Sequence, residues 1–128
     1  MNGVATVTVI VVGITVIMNI VIVVGDIMRA EFVVANSREV GVSDRWLPTL
    51  AVLKGVGAAG LIAGVAGAPL IGVLAALGLS AFYLCALIAH LRARVFHSIA
   101  FPALFFAFAL GSLVLPSVAS LTDGLRIA

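Results

Sequence analysis

The chain alternates between long apolar stretches and short polar segments. Four stretches dominate the pattern, at residues 4–24, 47–66, 70–91 and 99–119. A bilayer core of about 30 Å needs roughly 20 residues of apolar helix, and each stretch has about that length. None shows the strict alternation of apolar and polar residues that a membrane barrel strand requires. The pattern therefore predicts an all-α polytopic membrane protein, with four transmembrane helices bundled into a single membrane domain over residues 1–128.

The connections between the stretches differ in length. The link Gly67-Ala68-Pro69 is so short that the second and third helices must form an antiparallel hairpin. The first connection, residues 25–46, is long for a helical bundle and places apolar residues 32–34 among charged ones. This arrangement predicts a short interfacial segment between the first two membrane helices, covering the mouth of the bundle. In the fourth stretch, Pro116 predicts a kink or the end of the helix.

Composition supports a membrane protein and excludes several kinds of site. Hydrophobic residues make up 64% of the chain and charged residues 9%, whereas globular proteins average about 45–50% and about 25%. The net charge of +2 arises from arginines in the connections, which predicts contact with lipid headgroups and no nucleic-acid partner. The single cysteine, Cys85, excludes an intrachain disulfide, and no Cys/His grouping has metal-ligand spacing. We therefore predict no metal and no bound cofactor.

The distribution of arginine predicts the orientation of the chain in the cell membrane. Four spans place both termini on one side and the connections 25–46 and 92–98 on the other. These connections hold five arginines: Arg29, Arg38, Arg45, Arg92 and Arg94. The opposite side holds only Arg126 and the amino terminus. By the positive-inside rule we expect both connections to be cytoplasmic and both termini to lie outside.

Lys54 is the least favourable residue within the apolar stretches. It lies roughly 10 Å along the second span, where insertion of a lysine costs about 3 kcal/mol. Two interpretations remain open. Its side chain extends to the headgroups, or it faces the bundle interior and pairs with a carboxylate. Asp26 is the carboxylate that the topology places nearest, on the same side of the membrane.

Three further polar residues complete a predicted polar mouth on the side of the two long connections. His90 ends the third span, and a headgroup or helix-dipole contact is its alternative role. Asn19 lies about 10 Å before Asp26 on the first span, and a hydrogen bond across the bundle is its alternative. Arg92 is predicted first as a topology anchor and second as a member of this mouth. The candidate binding residues are Asn19, Asp26, Lys54, His90 and Arg92.

Small residues recur every three or four positions on the second and third spans. They are Gly57, Gly60, Gly64, Gly72 and Ala76. Small faces let helix backbones approach closely, which is a main source of helix association in lipid. We expect this face to pack inside the bundle, with contact between copies of the chain as the alternative. Tyr83 and Cys85, near the middle of the third span, are also predicted to be packing residues.

The order of these features resembles the DoxX-like family of small bacterial membrane proteins. The resemblance rests on LKGVGAAGL at 53–61, PLIG at 69–72, AALGL at 75–79 and ALIAHLR at 86–92. It covers about residues 18–115 and implies a four-helix membrane bundle. It also carries over Lys54, His90 and Arg92 as the family's polar positions. The chain departs from the family at Gly25-Asp26, where many relatives have a glycine followed by a basic or polar residue.

Named relatives in this family are diverse, so the resemblance does not fix an activity. They include subunits linked to thiosulfate–quinone chemistry, a component of a mycobacterial membrane oxidoreductase complex and an animal receptor-assembly chaperone. The leading hypothesis is a non-catalytic accessory protein of the bilayer that binds a partner protein or an amphiphile through the polar mouth. One alternative is a redox-complex subunit that positions a quinone or sulfur compound near Lys54 and His90. The other is a carrier of protons or small solutes, which is disfavoured because no carboxylate lies within a predicted span.

Overall fold

A computed structural model describes residues 2–127, and within that range the chain forms five α-helices and one 3-10 turn. The helices are α1 (Gly3–Ile27), α2 (Glu31–Glu39), α3 (Leu47–Val65), α4 (Pro69–Ala93) and α5 (Ala100–Ile127), and the turn Asp44–Trp46 leads into α3. Four of the described helices, α1, α3, α4 and α5, are long and apolar enough to cross a membrane. The predicted all-α class, with four membrane helices and a short helix between the first two, is confirmed.

The four long helices form a bundle in which each packs against two neighbours, in the cyclic order α1, α3, α4, α5. The reversal between α3 and α4 takes three residues and is possible because Gly67 adopts a φ of 122°, which L side chains rarely reach. At one end of the bundle the Asn2 amide donates a hydrogen bond to the Asp123 carboxylate. The start of α1 and the end of α5 therefore lie together, opposite the two long connections.

The bundle is apolar on its surface and partly polar inside. More than half of the surface of several large apolar side chains is exposed, among them Ile17, Val21, Val56 and Leu70. The neutral polar side chains buried among the described residues include Thr15, Asn19, Ser80 and Ser112. In water this distribution would be unfavourable, because apolar area gains from burial. In lipid it is expected, since neighbouring helices supply the hydrogen-bond partners that lipid cannot.

Two helices extend beyond the predicted spans. The first span was predicted to end at Val24, but α1 continues to Ile27 and buries Asp26 within the helix. Asp26 therefore lies within the helix of the first candidate span and not in the connection that follows it. The fourth span was predicted to end near Ala119, but α5 passes through Pro116 and reaches Ile127. Membrane helices tolerate proline where neighbouring helices and local adjustments satisfy the freed backbone carbonyl.

Part of the predicted orientation depends on groups outside the described residues. Those groups are Met1 with the amino terminus, the side chain of Arg126, and Ala128. The arginines of the connections are described, and Arg29, Arg38, Arg45, Arg92 and Arg94 are all exposed.

Candidate functional site

Helices α3 and α4, which carry much of the candidate site, pack closely against each other. A methyl group added at Gly64 would lie 2.6 Å from the Gly72 Cα atom, and one at Gly60 would lie 2.6 Å from the Ala75 Cβ atom. At Gly57 the same methyl would lie 2.5 Å from a methyl group of Leu79. The faces of small residues on α3 and α4 therefore contact each other within one chain. Ala76, on the same helix as Gly72, is fully buried in the central apolar cluster.

One turn before Gly57, Lys54 of α3 forms an ion pair with Asp26 of α1. The Lys54 Nζ atom lies 2.5 Å from the Asp26 Oδ2 atom, and the side chains are only 8% and 2% exposed. The same ammonium lies 5.5 Å from the centre of the Phe82 ring, within the range of a cation–π contact. Lys54 is therefore directed into the bundle rather than toward the headgroups, and it links α3 to α1 and α4.

The ion pair leaves hydrogen-bonding capacity unused. Although Asp26 Oδ2 is close to Lys54, it has no partner of hydrogen-bond geometry among the described residues. An ionised carboxylate has about four acceptor positions, and the contact with Lys54 is the one ionic contact of Asp26 in the described part of the chain. Lys54 carries three N–H donors, and its one polar contact in the described part of the chain is Asp26. Such unsatisfied buried groups are rare in proteins and call for an explanation.

A second set of buried hydrogen bonds joins α4, α1 and α5. The Tyr83 hydroxyl donates to Asn19 Oδ1, and Asn19 Nδ2 donates to the backbone carbonyl of Thr15 over 2.8 Å. The Ser112 hydroxyl in turn donates to Thr15 Oγ1 over 3.0 Å. The Tyr83 ring packs against Phe105 with their centres 5.1 Å apart. Tyr83 was predicted only as a packing residue, and that prediction was incomplete, since its hydroxyl joins α4 to α1.

The short helix α2 covers the loop-side end of the bundle through Asn36. Asn36 Oδ1 lies 2.9 Å from the Ser98 hydroxyl and 3.2 Å from His90 Nε2. The other ring nitrogen, His90 Nδ1, lies 2.8 Å from the Ala86 carbonyl and must donate to it, because a carbonyl only accepts. The Asn36 amide can serve either protonation state of His90, since it offers an acceptor oxygen and a donor nitrogen. Asn36 therefore holds α2 against both α4 and the start of α5.

Further contacts hold α2 against the neighbouring segments of the chain. Val33 is buried and lies against Gly25, and Glu39 lies 2.5 Å from the His97 ring. On the exposed side, Arg38 and Asp44 pair at 2.7 Å. The hydrogen bond and charge of Arg38 lower the pKa of Asp44, and Asp44 likewise raises the pKa of Arg38. The pair therefore stays ionised at neutral pH.

A cavity of about 1160 Å³ lies between α3 and α4, below α2 and beside the start of α5. This exceeds the volume of most small-molecule pockets, which is about 300–1,000 Å³. Its lining is mainly apolar, and the polar side chains are concentrated around Asp26, Lys54, Tyr83 and the α2 end. Exposed residues of the bundle surface also line it: Leu53, Val56, Ile71 and Leu74. The cavity is therefore open toward the lipid as well as covered by α2.

The structure brings together some of the predicted binding residues and separates one. Asp26, Lys54 and His90 line the same cavity, and Asn19 reaches it through its hydrogen bond with Tyr83. Arg92 is exposed and does not line the cavity. It lies two residues beyond His90, which places it about 200° around α4 at 3.6 residues per turn.

The lining residues that sequence reasoning missed include Asn36, Phe82 and Tyr83. Phe82 was not detectable, because aromatic residues are common on all faces of membrane helices. Asn36 was the one amide in α2, and its position in a short helix over the mouth could have marked it. Within residues 2–127 no three His, Cys, Asp or Glu side chains are grouped as metal ligands would be.

Comparison with known protein families identifies the family to which this four-helix bundle belongs. The sequence profile of the DoxX-like family matches residues 10–112, which include every residue of the ion pair and of the α2 contacts. The chain belongs to the DoxX-like family. The resemblance inferred from the sequence is thereby confirmed, together with the multi-pass membrane character that it implies. Neither the curated proteins nor the solved structures show a significant match. Membership in the DoxX-like family does not by itself assign an activity or a ligand.

Proposed function

We propose that this DoxX-like protein is a non-catalytic membrane protein that binds an amphiphile from the bilayer. The polar end of the ligand lies at the Asp26–Lys54 pair, and its apolar part lies along the seam between α3 and α4. The single observation that carries this proposal is a large, mainly apolar cavity that contains a buried ion pair. Amphiphile binding requires this combination of one polar point and an extended apolar wall.

Stability alone gives no reason to keep such a pair. Replacing a buried ion pair by apolar residues of similar volume is often neutral or stabilising, because desolvation offsets the Coulomb attraction. Ionisable residues inside membrane domains mark functional sites more often than structural ones. The open hydrogen-bonding capacity of Asp26 Oδ2 supports a ligand role for the pair. A bound polar group would satisfy it.

The surroundings of the cavity support entry from the membrane. The lining includes Val56, Ile71 and Leu74, which are exposed on the lipid side of α3 and α4. At the loop side, α2 is held over the cavity by Asn36 and the Glu39–His97 contact. An apolar molecule dissolved in the bilayer can therefore reach Lys54 without crossing water.

The experiment that tests this proposal is extraction of bound lipids. Protein purified from native membranes in a mild detergent should carry a specific amphiphile, identified by mass spectrometry and enriched over bulk lipid. The double variant Lys54→Met/Asp26→Asn should lose most of it. Arg92→Met, which removes an exposed cation outside the cavity, should retain it. Equal lipid profiles in all three proteins, or enrichment of a partner protein in place of any lipid, would contradict amphiphile binding.

We also propose that α2 and the cavity mouth lie on the cytoplasmic side, as the arginine distribution predicts. In a Cys85→Ala background, Gly124→Cys should react with an impermeant maleimide in intact cells. Ser43→Cys should react only after the membrane is permeabilised. Both positions are exposed, and nothing lies within 4 Å of a Cβ atom at Gly124, so access decides the labelling. The opposite labelling pattern would place the mouth outside.

A further inference from the structure

We infer that the polar group of the ligand is uncharged and that it both donates and accepts hydrogen bonds, as a hydroxyl does. This inference rests on the proposed function and specifies the chemical class that the cavity would take. It excludes amphiphiles whose only polar group is an anion, a quaternary cation or an ester. Two independent features of the site support it, the balance of charge and the unused hydrogen-bonding positions.

The first feature is the balance of charge in the cavity. Lys54 and Asp26 neutralise each other at 2.5 Å. The other acidic residue in the lining, Glu39, lies at the rim beside the ring of His97. Apart from Glu39 at the exposed rim, the described lining contains no further lysine, arginine or carboxylate that could compensate a charged head. A net charge brought into this apolar environment would therefore keep its full desolvation cost.

The second feature is the set of free hydrogen-bonding positions. An ionised carboxylate has about four acceptor positions and an ammonium has three N–H donors, whereas Asp26 and Lys54 have one ionic contact, with each other, in the described part of the chain. A hydroxyl placed beside the pair satisfies both, because its oxygen accepts from Lys54 while its hydrogen is donated to Asp26. An ester oxygen or a sulfate only accepts, and a quaternary ammonium does neither.

The apolar part of the proposed ligand can lie along the α4 side of the cavity. From Phe82 toward the hairpin, the lining of α4 continues through Gly78, Ala75 and Ile71, a distance of about 16 Å at 1.5 Å per residue. This wall contains no ionisable side chain. A single long alkyl or alkenyl chain can therefore run from the ion pair along the seam while its surface remains in contact with apolar groups.

The test is a series of probes that share one C18 alkenyl chain. Binding to the protein in nanodiscs is measured for oleyl alcohol, methyl oleate, oleyl sulfate and oleyl trimethylammonium. We expect oleyl alcohol to bind about tenfold more tightly than each of the others, the loss that accompanies one unsatisfied buried polar group. A charged probe or the ester that binds as tightly as the alcohol would overturn the inference while leaving amphiphile binding intact. Failure of every probe to bind would instead overturn the proposed function.

Single variants provide a second, directional test. Asp26→Asn leaves Lys54 as an uncompensated cation, so the preference should shift from the alcohol to oleyl sulfate. Lys54→Met leaves Asp26 as an uncompensated anion, so the preference should shift to oleyl trimethylammonium. Arg92→Met, with an intact pair, should keep the preference of the parent protein. If the order of the four probes is the same in all of these proteins, the ion pair does not select the polar group and the inference fails. If either single variant does not fold, the probe series on the parent protein decides alone.

Discussion

Replacing Lys54 with Met is expected to lower the free energy of unfolding by about 3–5 kcal/mol, the range observed when one partner of a buried ion pair is removed. The reason is that the Asp26 carboxylate, only 2% exposed, would remain charged in an apolar environment without its partner. The free energy is measured by reversible denaturation in detergent micelles or bicelles. Arg92→Met is the matched control, since it removes an exposed cation and should change stability by no more than about 0.5 kcal/mol.

The double variant distinguishes pairing from two separate effects. Lys54→Met combined with Asp26→Asn removes both charges and should recover stability, so that the double change costs less than the sum of the single changes. The coupling is expected because the two atoms are 2.5 Å apart. Strictly additive costs would mean that Lys54 and Asp26 do not stabilise each other, and Lys54 would then extend to the headgroups.

Replacing Gly64 with Ala is expected to destabilise the bundle by about 1–3 kcal/mol, because the new methyl group overpacks a backbone contact. The added Cβ atom would lie 2.6 Å from the Gly72 Cα atom. This contact is with the backbone, so no flexible side chain can move to relieve it. The measurement is the unfolding free energy or the Tm in detergent. Longer side chains such as Leu at the same position should cost more, since they force α3 and α4 further apart.

A second glycine of α3 provides the control for this prediction. At Gly55 nothing lies within 4 Å of an added Cβ atom. Gly55→Ala should therefore leave stability unchanged or raise it by up to about 1 kcal/mol, the gain in helix propensity. Opposite signs for the two variants would support close packing of α3 on α4. Equal effects at Gly64 and Gly55 would mean that the face carrying Gly64 contacts lipid.

The fold could be predicted from the sequence because lipid imposes a simple rule. A span must be a helix of about 20 apolar residues, so hydropathy alone locates it. The rule was less reliable at the helix ends. Hydropathy predicts that the first span ends before Asp26, yet α1 continues to Ile27, and Lys54 pairs with the Asp26 carboxylate. Similarly, α5 does not end at Pro116 but continues to Ile127.

The candidate site could be predicted only as far as topology brings residues to one side of the membrane. That reasoning placed Asp26, Lys54 and His90 at one end of the bundle, and in the structure they line one cavity. It also included Arg92, because the sequence does not show that helix rotation places this residue on the far face. The order of the spans determines on which side of the membrane a residue lies. The direction in which its side chain faces depends instead on how the helices are rotated relative to each other.

The contacts that were missed are those between distant positions. The Tyr83 hydroxyl of α4 donates a hydrogen bond to Asn19 of α1. Asn36 of α2 contacts His90 near the end of α4 and Ser98 just before α5. No local pattern encodes such pairs, because each side chain alone is compatible with packing or with solvent. The unused hydrogen-bonding position of Asp26 is also a property of the assembled site, and it carries the inference about ligand chemistry.

The most direct test of ligand binding in the cavity is photolabelling with two oleyl alcohol analogues, one with a diazirine next to the hydroxyl and one with a diazirine at the chain end. The first should label residues around Lys54, such as Leu50 and Phe82, and the second should label Ile71 and Leu74; all four line the cavity. Excess unmodified oleyl alcohol should abolish both patterns. Labelling spread equally over the lipid-facing residues Ile17 and Val21, and insensitive to the competitor, would contradict a bound amphiphile with its polar group at the ion pair.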